Sequence, residues 1–343
     1  MRFAGGMRIE RFGAQDERRA DACYEIFRAT RAVDDPDVPL MSRRVFGVLL
    51  TTGWVGDPRE TWLLADDDGI AGWYQLELPA RDNRHLGFAD IAVRPERRRC
   101  GFGTALLRHA ASRAVADGRR LLTGYALAGT AGEAFARTAG ATGGLTEIQR
   151  AMDTGSISAE RAAGLLAGTE RASAGYSLVS WTAPTPEEYL DQVAAINRAL
   201  HDAPHDPSIE EPVWDAARVV ATDRRIRRQG VRAYTVAARH DTSGELGGLT
   251  QVEVGLERPE WAFQALTAVD RAHRGHRLGL RLKLAMLELL ARQEPRVSHL
   301  LTSNAETNTH MISINSELGY YVLGKAARSW ELPAAGVAGH AQS

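Results

Sequence analysis

Apolar and polar residues alternate in short runs along this chain, and the runs come in two matching sets. The first set predicts strands at 61–65, 72–78 and 86–93; the second predicts them at 233–238, 248–254 and 262–269. Ala71-Gly72-Trp73-Tyr74-Gln75-Leu76-Glu77-Leu78 returns 176 residues later as Gly247-Gly248-Leu249-Thr250-Gln251-Val252-Glu253-Val254. The same offset carries Val93 to Val269, Arg98 to Arg274 and Gly103 to Gly279, and Leu121-Leu122-Thr123 returns as Leu300-Leu301-Thr302 with the offset grown by three. Composition alone does not sustain a constant offset over such a length, so one fold is present twice.

The remaining pattern fits that duplication. A first strand (7–12 and 176–181) precedes a helix in each copy. The first helix, 20–31, turns Ala22, Ile26 and Phe27 inward; the second, 189–200, follows Thr185-Pro186-Glu187-Glu188, an N-cap with proline and acidic residues in the first turn. Proline- and aspartate-rich stretches at 34–39 and 201–207 are expected as non-helical surface loops. After the three strands of each copy come helices at 103–116 and 279–291, the latter with Leu280, Leu284, Leu287 and Leu290 on one face. Short strands at 121–125 and 299–303, a further helix and closing strands complete each copy. The segment 156–173, rich in Ala, Gly and Ser, reads as a linker with a short helix, which divides the chain into domains 1–155 and 174–343. Residues 1–6 read as a loose leader.

A chain of 343 residues is long for one domain and comfortable for two, and 44% hydrophobic residues suffice for a core in each. The formal net charge of −1 supplies no field for nucleic acid or an anionic membrane. The basic run Arg224-Arg225-Ile226-Arg227-Arg228 reads as a solvated helix face. Cys23 and Cys100 alone build no disulfide framework, no run of apolar residues is long enough to span a membrane, and a cytoplasmic protein is expected.

The candidate chemistry lies where the third strand of each copy turns into a helix. The first copy reads Val93-Arg94-Pro95-Glu96-Arg97-Arg98-Arg99-Cys100-Gly101-Phe102-Gly103-Thr104, the second Val269-Asp270-Arg271-Ala272-His273-Arg274-Gly275-His276-Arg277-Leu278-Gly279-Leu280. Glycine lets the backbone approach a ligand, the helix N-terminus offers unpaired N–H groups to an anion, and the arginines add affinity for phosphate. A diphosphate suits this arrangement. Neither GxxxxGK[ST] nor a GxGxxG after a first strand is present. His273 and His276 lack a third ligand at metal spacing, so no metal is expected, and Cys100 and the residues Trp73, Trp261 and Trp330 read as loop and packing residues.

With these residues the chain resembles the GNAT superfamily of acetyltransferases, twice over, in the manner of the tandem mycothiol synthase-like members. The family's [RQ]-x-x-G-x-[GA] signature is matched by Arg98-x-x-Gly101-x-Gly103; Arg274-x-x-Arg277-x-Gly279 departs from it at the first glycine. The resemblance implies a mixed α/β fold, two domains each with a mostly antiparallel central sheet and helices on both faces. It also implies acetyl-CoA as cofactor, held by Thr267, Val269, Arg274, Gly275, His276, Arg277, Leu278, Gly279 and Leu280. In the first copy the matching positions are Ile91, Val93, Arg98, Arg99, Cys100, Gly101, Phe102, Gly103 and Thr104. Asn308 stands eleven residues before Gly319-Tyr320, the family's spacing for an asparagine that bonds the pantetheine arm; the first copy has Gly129 there.

The tyrosine that many members use to protonate the leaving thiolate is replaced by Ala136 and Asn315, and the strand carboxylate used by others is replaced by Gly87 and Phe263. The resemblance therefore points to a cofactor-holding or structural first copy and a catalytic second one. Glu306, Asn315 and Asp202 are the candidates for catalysis there, with His201 and Glu253 as further candidate bases. His201, Gln251, Glu253 and Asn304 would line the acceptor side. The expected reaction is acetyl transfer to a primary amine of a small molecule by direct attack in a ternary complex, in a monomer or homodimer. Acetylation of a protein or peptide, and a non-catalytic CoA-binding regulator, remain as alternatives.

Overall fold

A computed structural model describes residues 6–13, 15–53, 57 and 59–339, so most of the expected leader lies outside the described residues. In chain order the first half runs β1 (Arg8–Phe12), α1 (Glu17–Asp34), α2 (Arg43–Leu49), β2 (Arg59–Asp66), β3 (Gly69–Glu77), β4 (Leu86–Val93), α3 (Phe102–Ala116), β5 (Leu121–Leu127), α4 (Ala131–Thr138) and β6 (Thr142–Asp153). The second half runs α5 (Ala159–Ala172), β7 (Tyr176–Thr182), α6 (Leu190–Arg198), α7 (Ala216–Arg228), β8 (Val231–His240), β9 (Leu246–Gly255), β10 (Trp261–Val269), α8 (Leu278–Gln293), β11 (His299–Ala305), α9 (Thr309–Glu317), β12 (Tyr321–Val322), β13 (Ala327–Pro333) and α10 (Ala334–Ala338).

Two compact units result, and they do not follow chain order to the end. Unit 1 holds 1–147, 206–210 and 324–343; unit 2 holds 148–205 and 211–323. In unit 1 the strand order is β1-β2-β3-β4-β5-β13 and then the start of β6; β13, the last strand of the chain, pairs antiparallel with β5 from Ala327–Leu127 to Pro333–Leu121. Unit 2 is ordered β11-β10-β9-β8-β7, with β6 beside β11 and β12 against β6 at Tyr321–Ala151 and Val322–Arg150. The closing strands of the two copies have thus been exchanged within one chain. A fragment ending at residue 155 would lack β13 and leave the edge of β5 bare.

Each unit has a parallel strand pair, β4–β5 or β10–β11, beside antiparallel pairs, with a core on both faces. In unit 1, Leu106, Ala110 and Ala114 of α3 pack with Tyr74 and Leu76, while Cys23 and Ile26 of α1 pack with Trp73 on the opposite face. In unit 2, Leu280, Leu284 and Met286 of α8 pack with Val252, Val254 and Leu300, and Val193 and Ile196 of α6 pack with Leu249 and Ala268. Each Leu, Ile, Val or Met among these contributes about 1.5–3 kcal/mol when removed from water. Gly72 and Gly248 recur for one reason: a Cβ there would lie 2.6 Å from the Ala92 carbonyl and 2.8 Å from the Ala268 carbonyl.

Several details depart from the sequence reading. Cys23, with no exposed surface, takes the inward place expected of Ala22, because it lies three residues from both Ala20 and Ile26 on one face of α1. The stretch after α6 is not wholly irregular, since Ala199–Asp202 forms a 3-10 turn, and Asp35 and Asp206 of the two expected surface loops are buried. The basic run falls on α7, yet Arg225 is buried beside Gln229 and Glu253 while Arg224, Arg227 and Arg228 are exposed. The expected linker is helical over Ala159–Ala172 and packs on α8. The constant offset also hides an insertion. Val254 pairs with Ala262, the counterpart of Gly87, and the register slips between Gln264 and Leu266, a one-residue bulge that β4 lacks.

Candidate active site

The parallel pairs set the opening of each unit. β10 and β11 are joined only at Trp261–His299, Ala262–Leu300 and Phe263–Leu301, and β4 and β5 only at Leu86–Leu121, Gly87–Leu122 and Phe88–Thr123. Beyond these residues the strands part and leave a wedge between their edges. In unit 2 the wedge begins where the bulge begins, and Ala265, between Gln264 and Leu266, has no register partner on β9. Gln264 is fixed there by its side chain, whose amide donates to the Thr250 hydroxyl (2.7 Å), while Thr250 bonds Thr267 (2.7 Å) and Thr302 donates to the Gln264 carbonyl (3.3 Å).

At the top of each wedge the chain turns into its helix along one path. Arg99 (φ +67°) and Gly101 (φ +83°) take the left-handed conformation in unit 1, and Gly275 (φ +89°) and Arg277 (φ +53°) take it in unit 2. Glycine and arginine have traded places between the two left-handed positions. The departure at Arg277 therefore leaves the loop shape intact, at the cost of about 1–2 kcal/mol for a side chain held there. The N–H groups of Gly101, Phe102, Gly103 and Thr104, and of Arg277, Leu278, Gly279 and Leu280, have no acceptor among the described residues. No side chain caps either helix. A row of free donors at the positive end of a helix fits a diphosphate.

The signature arginines are bound to carboxylates. Arg98 grips Asp34 with two bonds of 2.9 and 2.6 Å, and Arg274 and Arg271 both grip Asp202, at 2.6 and 2.5 Å. They tie the loop to the end of the first helical segment of each unit. Arg277 is paired with Glu317 (2.9 Å), and Arg97 with Asp66. Arg99 and Cys100 are exposed on the loop. Asp202, bonded first by Arg274 and then by Arg271, is held below the usual carboxylate range, which makes it a weak base. His201 beside it stacks on His205 at 4.0 Å. His273 bonds the Tyr176 hydroxyl (2.8 Å), and His276 reaches the Ala172 carbonyl (3.3 Å). Thr267 and Val269 lie on the α8 side of β10, and Ile91 and Val93 pack against the core under α3.

Asn308 is the N-cap of α9, its side-chain oxygen accepting from the Met311 N–H at 3.2 Å, which leaves its NH2 for a ligand carbonyl. In unit 1, Gly129 instead offers its own N–H to Glu133 (2.7 Å). Asn308→Ala is expected to cost a cap, about 1 kcal/mol in thermal unfolding. It should also remove a ligand bond worth roughly 1–3 kcal/mol, a drop of about one to two orders of magnitude in kcat/KM for acetyl-CoA. Unchanged kinetics would reduce Asn308 to its capping role.

On the face of β9 towards α6, Glu253 is largely buried. Burial raises its carboxyl above the ordinary range, opposed by Arg225 at 3.7 Å. Its counterpart Glu77 is clasped by Arg59 at 2.7 Å. Gln251 sits two residues away and bonds Thr235 (3.3 Å). Glu306 is exposed in the turn after β11.

Asn315 has no exposed surface and lies in a chain of amides that sequence reasoning did not anticipate. Its NH2 donates to Asn304 (2.7 Å) and its oxygen accepts from the Lys283 ammonium (2.9 Å). Lys283 is 2% exposed on α8, with the Tyr320 ring 5.0 Å from its nitrogen. Desolvation lowers it from 10.5 to about 7. The signal was present, since Lys283 interrupts the apolar stripe of Leu280, Leu284 and Leu287. Because the folded state binds this proton more weakly than the unfolded chain, it carries a penalty below about pH 7 that is relieved as pH rises towards 10.5. Denaturant melts should show Lys283→Met more stable than the parent at pH 7, with the gap closing by about pH 10. A gap independent of pH would contradict the shift.

Residues 20–135 match the Acetyltransferase (GNAT) family. That match covers about a third of the chain, and the two units share the architecture of a solved tandem GNAT protein. Among solved structures, a tandem GNAT protein from the clavulanic acid biosynthesis pathway matches with a TM-score of 0.78 and 26% identity, over 96% of this chain and 98% of that one. A GCN5-related N-acetyltransferase from Sphaerobacter thermophilus shares the fold at a TM-score of 0.68 and 14% identity, over 97% of each chain. Mycothiol acetyltransferase from Nocardia farcinica (strain IFM 10152) is 38% identical over 104 residues, 30% of this chain and 32% of that protein, so the match spans about a third of that relative. No helix among the described residues is long and apolar enough to cross a membrane.

Proposed function

We propose that this protein is an acetyl-CoA-dependent N-acetyltransferase acting on a primary amine of a small molecule, with the reaction in unit 2. The observation that carries this reading is the bulge of β10 at the mouth of the wedge, present in unit 2 and missing from the register of β4. The GNAT match and the mycothiol acetyltransferase relative support acyl transfer as the reaction class.

Acetyl-CoA when bound supplies an activated acetyl group on sulfur. The free N–H groups from Arg277 to Leu280 would hold its diphosphate, and Asn308 an amide of its arm. The backbone around Gln264 and Leu266 would polarise the carbonyl to be attacked. The acceptor amine enters from the face of Gln251, Glu253 and His201, and holding both reactants together supplies much of the rate. Its nitrogen lone pair forms the new C–N bond as the C–S bond breaks, the sulfur leaving with its electron pair. The proton lost from nitrogen passes to Glu253, whose raised affinity for protons suits it to that task. Unit 1 keeps a complete anion loop but has Ala136 in place of Asn315 and an arginine-clasped Glu77, so it would hold CoA without turnover.

The test is CoA release from acetyl-CoA with a panel of small amines, products identified by mass. Release that depends on one amine class supports the reading. Binding of acetyl-CoA with no turnover on any amine or peptide would leave a CoA-binding regulator instead.

A further inference from the structure

Lys283, Asn315 and Asn304 form a hydrogen-bonded chain with a fixed direction. The Lys283 nitrogen donates to the Asn315 oxygen, which turns the Asn315 NH2 to the oxygen of Asn304. Asn304 must then turn its oxygen inward, and its own NH2 is left pointing out of the chain. Asn304 stands on β11 three residues beyond Leu301, the last residue paired with β10, and shares the α8 face with Leu300. The chain therefore ends as a donor where the wedge opens, on the side of the free helix N-terminus.

Unit 1 lacks every member. The counterparts are Leu107 on α3, Ala136 on α4 and Ala126, four residues beyond the paired Leu122 on β5. No carboxylate pairs with Lys283 among the described residues, so the fold buries an amine against its preference for water, its nitrogen held by the Asn315 oxygen. Packing does not explain that choice; a required polarity does.

We propose that Lys283 is a positioning residue of the unit 2 reaction: it sets the polarity of Asn315 and Asn304 so that the Asn304 carboxamide donates to an oxygen of the acyl thioester. The inference rests on placing catalysis in unit 2. Without Lys283, both amides are free to flip, and Asn304 then offers its oxygen to the same spot about as readily as its NH2.

The test is a double-mutant cycle on the full chain with Lys283→Met and Asn304→Asp, assayed with acetyl-CoA and the best amine. Lys283→Met should lower kcat about 10- to 100-fold, leave acetyl-CoA affinity by calorimetry within about 3-fold, and melt no earlier than the parent at pH 7. Asn304→Asp, which cannot donate, should lower kcat at least as far, and the double variant should be no worse than Asn304→Asp alone. Multiplying effects in the double variant, or a kcat of Lys283→Met within 2-fold of the parent, would overturn the proposal. If Lys283→Met is silent while Gly279→Trp abolishes turnover, only this inference falls. If Gly279→Trp is silent too, the choice of unit 2 falls with it.

Discussion

Gly279→Trp should abolish turnover, and Gly103→Trp should leave it within about 3-fold of the parent. Gly279 is the second residue of α8, and a Cβ there would already lie 3.2 Å from the Ile314 side chain on α9. An indole has no room on that side and must project over the free N–H groups of Arg277, Leu278 and Leu280. Losing two charge-assisted bonds to a diphosphate costs about 3–6 kcal/mol, roughly two to four orders of magnitude in kcat/KM. At Gly103 the corresponding Cβ meets the Phe135 ring at 3.5 Å, so the same substitution blocks the unit 1 loop. The measurement is steady-state kinetics beside a thermal melt of each variant. Loss of activity in folded Gly103→Trp, with Gly279→Trp active, would move the reaction to unit 1.

The two units are close enough in sequence for their duplication, sheet order and anion loops to be read from residue types alone. Strand alternation and the recurrence of Gly72 as Gly248 and Gly103 as Gly279 are local signals, because a close approach or a helix start selects glycine wherever it occurs. Three features were not legible. The exchange of closing strands depends on which sheet edge β13 meets, and the pattern of Ala327–Pro333 fits either edge. The bulge in β10 is hidden because one extra strand residue is offset in the hairpin before it, which keeps the spacing from Gly248 to Val269 equal to that from Gly72 to Val93. The roles of Arg98 and Arg274 depend on distant carboxylates: Asp34 and Asp202 consume the charge that the loop sequence offers to phosphate.

The same limit applied to the search for a base. Spacing along a strand singled out positions 87 and 263, which hold glycine and phenylalanine, and no local motif marks Glu253. Its environment does. It lies between Ala233 on β8 and Phe263 on β10, where Arg225 at 3.7 Å offsets only part of the cost of burying a charge.

Glu253→Gln should therefore lower kcat/KM by about two orders of magnitude at neutral pH, the usual worth of a positioned general base. The amide keeps the shape of the side chain, and the charge it removes is already disfavoured by burial, so the melt should change little. The pH profile is the stricter reading. A base works only when deprotonated, so the parent should lose activity on the acid side as pH falls through the raised carboxyl value of Glu253. In Glu253→Gln that acid limb should vanish, leaving a rate that climbs with the fraction of free neutral amine. If the limb persists unchanged in the variant, the proton goes elsewhere. His201, at the edge of the same face and free of the arginine clamp that holds Asp202, then becomes the group to replace.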